Sequence, residues 1–255
     1  MPSPRHKPAR VRKLPASASL RGPSAGAAPT QPAAPGLSRR DLEAGKMREI
    51  YLAAVAPGRT LTDEALSASL NATLAARPKG AGWWVFAYGS LLWNPIFPIA
   101  ESRTALLRGY HRRFCLWSLA SRGMPHAPGL VLGLMPGGAC RGVAYRLPAP
   151  AAIDELHLLW RREMVVGSYT PRWVELATDG RPVVGLAFVV KRDHPQYAAG
   201  LALERQADVI ATACGHLGST RDYLERTRVA LVSHGIVDPY LERLATAVRA
   251  RACAE

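Results

Sequence analysis

Glu163 stands at the end of an apolar helical stripe. Across 148–163, Ile153, Leu156, Trp160 and Glu163 recur at three- and four-residue steps. They are therefore expected to share one inward face, with Asp154 and Glu155 on the other faces. A carboxylate at an inward position is unusual. Burial disfavours its charged form and raises its pKa, which suits a group that takes up and returns a proton near neutral pH. Residue types alone leave a second reading open, in which the stripe stops one residue earlier and Glu163 pairs with Arg161 or Arg162.

The other chemical feature is a turn. Trp83-Trp84-Val85-Phe86-Ala87-Tyr88 is an unbroken apolar and aromatic run, the pattern of a buried strand. It ends at Gly89-Ser90-Leu91. Glycine lets the backbone turn sharply and come close to a ligand, and successive N–H groups in such a turn can converge on an anion. Asn94-Pro95 closes the segment. Tyr88 and Tyr169 carry hydroxyls that could bind or orient a substrate; either could also be an amphipathic tyrosine at a strand end.

The wording of these segments resembles the ChaC family of γ-glutamyl cyclotransferases, whose fingerprint is a strand ending in Tyr-Gly-Ser-Leu, here Tyr88-Gly89-Ser90-Leu91. Gly109-Tyr110-His111-Arg112-Arg113-Phe114-Cys115-Leu116 resembles the family's second strand block, and Gly142-Val143-Ala144-Tyr145-Arg146-Leu147 its third. Trp160-Arg161-Arg162-Glu163-Met164-Val165-Val166-Gly167-Ser168-Tyr169 is similar to the segment that carries the family's catalytic glutamate. The resemblance runs from about residue 60 almost to the C-terminus. The spacing from Glu163 to Tyr169 resembles the longer, bacterial-like version, so the role of Tyr169 carries over less directly than that of Glu163.

The resemblance implies an α+β fold: a small, mostly antiparallel β-barrel with surrounding helices. It also implies an activity. The free α-amine of a γ-glutamyl compound attacks its own γ-carbonyl, closing 5-oxoproline and expelling the attached amine. With glutathione as the substrate, cysteinyl-glycine leaves. Glu163 matches the acid/base glutamate; Tyr88, Gly89, Ser90, Leu91 and Tyr169 are the expected substrate-binding residues. The chemistry calls for no cofactor and no metal. Two rivals are a cyclotransferase for other γ-glutamyl amino acids or amines, and a non-enzymatic binding or cation-transport regulatory protein on the same fold.

The elements that must position these residues are legible in outline. Ser38 to Asp41 reads as a cap before a helix reaching about residue 55, stopped by Pro57-Gly58. Thr60 or Thr62 caps a second helix to about 76. Strands are expected at 105–107, 114–119, 130–135 and 142–147, separated by Gly/Pro-rich turns, and at 173–177 and 183–190 around Asp179-Gly180. The final third reads as helices at 197–214, 219–234 and 239–252. Three regions follow: a basic Pro/Ala-rich tail over 1–40, a helical extension over 41–80 and a catalytic domain over 81–255.

Charge and composition bound the function. The formal net charge is +14, but the first 40 residues hold eight Lys/Arg and no Asp or Glu, which leaves +6 for the rest. A tail of that composition is expected to be disordered. Its early prolines argue against the amphipathic helix of a transit peptide. The body has no basic run interleaved with aromatics, so no specific nucleic-acid partner is expected. No apolar run approaches a membrane span. The four cysteines are scattered, with no CxxC or zinc spacing, which points to a reducing, cytoplasmic setting. The oligomeric state is left open.

Overall fold

The computed structural model describes residues 36–56 and 58–252. Ser38 caps α1 (Arg39–Glu43) through a reciprocal capping box with Asp41. Gly45, with φ of 79°, then breaks the chain before α2 (Lys46–Ala54), so the single helix expected up to residue 55 is two. Thr62 caps α3 (Asp63–Ala75). The expected tail boundary at residue 40 falls inside the fold: Leu37 is buried, and Arg39 pairs with Glu155 at 2.6 Å. The tail reading of residues 1–35 lies outside the described residues.

β1 (Trp84–Ala87) is followed by β2 (Glu101–Ser118) and β3 (Gly129–Arg146). The four short strands expected here are two long ones, paired antiparallel along their whole length. Two bulges absorb what reads as punctuation. One falls between Arg108 and Tyr110, where Gly109 has φ of 81°; the other falls between Phe114 and Leu116. A bulge bends a strand without ending it, so glycine here marks curvature. Next come α4 (Ala152–Glu163), β4 (Tyr169–Thr178) and β5 (Val183–Val190). β4 and β5 form the hairpin expected around Asp179-Gly180.

β1, β3, β2, β4 and β5 close into a barrel in that order, with a parallel β1–β5 pair making the seam. The rest of the chain forms α5 (Leu203–Thr212), a minimal hairpin of β6 (Cys214–Gly215) and β7 (Gly218–Ser219), α6 (Thr220–Ser233) and α7 (Pro239–Ala252). α5 begins later than expected, because Tyr197 bridges to Leu116 and Gly200 adopts φ of 65°. The architecture is thus the expected α+β barrel with helices around it. Among the described residues, no helix is long and apolar enough to cross a membrane.

α4 docks against the barrel through Trp160, which meets Phe188 of β5 edge-on at 5.4 Å. The inward face of α4 differs from the expected stripe. Ala152, Leu156, Leu159 and Trp160 are buried, whereas Ile153 is 41% exposed and Glu155 is buried. Glu155 can face inward because Arg39 of α1 supplies a counter-charge that residue spacing does not reveal.

Candidate active site

Glu163 is the last residue of α4, and its side chain keeps 15% exposure. Its Oε1 is sealed from solvent and has no hydrogen-bond partner among the described residues. Arg162 Nε lies 3.1 Å from that oxygen, but not in hydrogen-bonding alignment. Arg162 instead donates through Nη1 to the Asn94 carbonyl at 2.6 Å. Burial raises the Glu163 pKa above the ordinary carboxylate value, and the Arg162 charge offsets this only in part. A buried carboxylate oxygen without a hydrogen bond is costly to fold and can accept one from a bound molecule.

Two hollows meet at this carboxylate. The smaller, about 20 Å³, is lined by Tyr88, Gly89, Ser90, Leu91, Glu163 and Tyr169, together with Leu132, Phe188 and Tyr223. All six residues singled out from the sequence therefore surround one recess. The larger, about 100 Å³, shares Ser90, Glu163, Tyr169 and Tyr223 and is lined further by Trp93, Arg122 and residues of α2.

The recess owes its shape to the turn after β1. Ser90, Leu91 and Leu92 form a single 3-10 turn. The Ser90 and Leu91 amides donate to no backbone carbonyl among the described residues, so they remain available to an anion. Gly89 is required by contact: a Cβ there would lie 2.8 Å from the Tyr223 hydroxyl. The turn is held from behind by Arg112, whose guanidinium is almost fully buried. Arg112 donates through Nε to the Tyr88 carbonyl at 2.6 Å and through its other nitrogens to Asp238 and the Arg141 carbonyl.

The tyrosines line the recess in protonated form. Tyr88 donates to the Phe188 carbonyl at 2.8 Å, and Tyr169 to the Leu132 carbonyl at 3.1 Å. Burial raises both phenols well above their usual value, and the Glu163 charge adds to the effect. Tyr223 is pushed up to about 12, again mainly by burial. Their rings form a low-dielectric wall, which strengthens every charge interaction inside it.

Sequence reasoning missed Tyr51, Arg122 and Tyr223, and of the two arginines it offered beside Glu163 the structure places Arg162 at the carboxylate. Arg122 is buried between the rings of Trp93 and Tyr223, at 5.5 and 5.6 Å from their centres. Burial lowers its pKa. It places a cation in the wall of the outer cavity. Tyr51, Arg122 and Tyr223 are lone side chains far from the motifs, and residue type alone could not mark them.

A five-stranded barrel flanked by helices is the fold of solved γ-glutamyl cyclotransferases. The crystal structure of a γ-glutamyl cyclotransferase specific to glutathione from yeast shares the fold, with a TM-score of 0.62 at 24% identity over 67% of this chain and 96% of that one. Residues 83–251 match the family model described as ChaC-like protein, and the chain belongs to that family. The glutathione-specific γ-glutamylcyclotransferase of Escherichia coli (strain K12) is 44% identical over 187 residues, which is 73% of this chain and 81% of the relative. The glutathione-specific γ-glutamylcyclotransferase 1 of Rattus norvegicus is 33% identical over 172 residues, covering 65% and 78% respectively.

Proposed function

We propose that the protein is a glutathione-specific γ-glutamyl cyclotransferase, releasing 5-oxoproline and cysteinyl-glycine, with Glu163 as the acid/base. The observation that carries this reading is Glu163: its Oε1 is buried without a hydrogen-bond partner, and the residue lines both hollows at once. The Ser90 and Leu91 amides receive the α-carboxylate of the γ-glutamyl group. This sets the α-ammonium beside Glu163, which takes its proton. The freed amine attacks the γ-carbonyl carbon, a five-membered lactam closes, and the bond from that carbon to the departing nitrogen breaks. Glu163 returns the proton to that nitrogen, and the second proton shed by the ring nitrogen as the lactam forms goes to the released amine, which leaves as the ammonium. The residue ends as it began, and no water is consumed.

The barrel contributes by holding a flexible chain folded on itself, which replaces a loss of freedom that would otherwise oppose ring closure. The raised pKa of Glu163 fits both halves of the proton exchange. Incubation with glutathione, followed by separation of 5-oxoproline and cysteinyl-glycine, tests the reading. Equimolar appearance of the two supports it. Faster turnover of γ-glutamyl-alanine than of glutathione would shift the activity to other γ-glutamyl amino acids.

A further inference from the structure

The family match begins at residue 83, so α1, α2 and α3 precede it. α2 and the residues just before α1 are nevertheless built into the site. Leu37, just before α1, and Met47 and Tyr51 of α2 line the outer cavity together with Glu163. All three are buried. The segment is fastened at several points. Asn94 donates to the Leu37 carbonyl at 3.2 Å, Arg39 pairs with Glu155, and the Leu61 amide donates to the Val165 carbonyl at 2.8 Å. The Tyr51 phenol sits beside the hydroxyls of Ser118 and Ser121, which are themselves joined at 2.8 Å.

One carboxylate serves both the attacking amine and the departing nitrogen, so both must lie against Glu163. The turn after Tyr88 holds the part common to all γ-glutamyl compounds. What lies beyond the breaking bond must then enter the other hollow that Glu163 lines. Its wall on one side is α2. Methionine there offers an adaptable, polarisable surface suited to a thiol-bearing side chain, and the tyrosine offers a flat face with a polar tip.

We infer that α2 supplies the leaving-group subsite, with Met47 and Tyr51 setting the size and shape of the amine that can be expelled. This rests on the cyclotransferase reading above. The test compares glutathione with S-benzylglutathione, in which a benzyl group replaces the thiol hydrogen of the leaving group. Wild type, Met47→Ala, Tyr51→Ala and Tyr51→Phe are assayed for 5-oxoproline, and a thermal melt of each reports folding.

The alanine variants should raise the S-benzylglutathione rate relative to the glutathione rate by roughly tenfold or more, the scale of discrimination a pocket wall provides. Tyr51→Phe should raise KM for glutathione about threefold with little change in kcat, the signature of lost ground-state contact. Folded alanine variants with an unchanged ratio, or with equal losses on both substrates, would overturn the inference. If Tyr51→Ala does not fold, Met47→Ala decides. Failure of wild type to release 5-oxoproline from glutathione would instead overturn the cyclotransferase reading itself.

Discussion

Arg162 and Glu163 are consecutive in sequence, with Nε and Oε1 3.1 Å apart, yet no hydrogen bond joins them. The arginine spends its Nη1 donor on the Asn94 carbonyl and acts on the carboxylate through charge alone. Oε1 is thus paired by charge with the arginine but not held by a hydrogen bond, an arrangement that suits the proton carrier proposed above.

Glu163→Gln should lower turnover of glutathione by ~100-fold or more and leave the protein folded. The stability effect has a definite sign. With its folded pKa above the unfolded value, wild-type Glu163 binds more protons when folded. Its contribution is most favourable below the unfolded pKa and is lost as pH rises through the folded pKa. Glutamine escapes that loss. The variant should therefore melt at or above wild type at pH ~7.5 and close to it at pH ~4. A lower melting temperature at the higher pH would make Glu163 a structural ion-pair partner.

Arg162→Met should move the acid limb of the kcat profile to higher pH, by about one unit. The arginine charge lowers the Glu163 pKa, so its removal lets burial raise that pKa further. The base must be deprotonated to act, so activity at a fixed mildly acidic pH should fall while the alkaline plateau is less affected. A pH–rate profile that does not move would remove Arg162 from the electrostatics of the site.

Gly89→Ala should destabilise the protein by about 1–3 kcal/mol and depress turnover, because the new methyl would lie 2.8 Å from the Tyr223 hydroxyl. The next nearest atom is 3.7 Å away, which is ordinary contact. Adding Tyr223→Phe should therefore restore most of the lost stability. Denaturant melts of the single and double variants measure this; additive losses would show that the clash lies elsewhere.

Asp238→Asn should cost about 3 kcal/mol, the scale for removing one partner of a buried ion pair. Asparagine keeps an oxygen that can cap α7, since Oδ1 accepts from the Tyr240 amide at 3.0 Å, but it leaves the Arg112 charge unopposed. Because Arg112 also holds the Tyr88 carbonyl, kcat should fall along with stability. A stable variant with wild-type kcat would show that the turn is set without this ion pair.

Deletion of residues 1–40 should lower the melting temperature by several degrees and impair activity, relative to a chain that begins at Gly36. The shorter deletion keeps Leu37 in the cavity wall and Arg39 opposite Glu155; the longer one leaves Glu155 buried without its counter-charge. Equal behaviour of the two chains would return the boundary to residue 40.

Much of this architecture was legible because local physics dictates it. The apolar run before Gly89, the caps at Ser38 and Thr62 and the Asp179-Gly180 hairpin all act within a few residues. What misled was punctuation that served another purpose. Gly109, and Pro136 followed by Gly137 and Gly138, read as turns, yet they lie within continuous strands that bend. Ile153 and Glu155 exchanged their expected faces because the partner of Glu155 is 116 residues away. Glu163 was legible because a carboxylate on an apolar stripe is conspicuous. Tyr51 and Tyr223 were not, since a lone tyrosine in a sequence is indistinguishable from a core residue until its neighbours are known.

The contact between Arg112 and Tyr88 also bears on the order in which the molecule is completed. Arg112 meets its counter-ion Asp238 only after 126 further residues have been made. Until then a guanidinium inside the barrel wall has no opposing charge, and the carbonyl it grips has no fixed place. Barrel closure and a finished site are therefore separate events. The turn after Tyr88 depends on a residue at the head of α7 as well as on the strands that carry it.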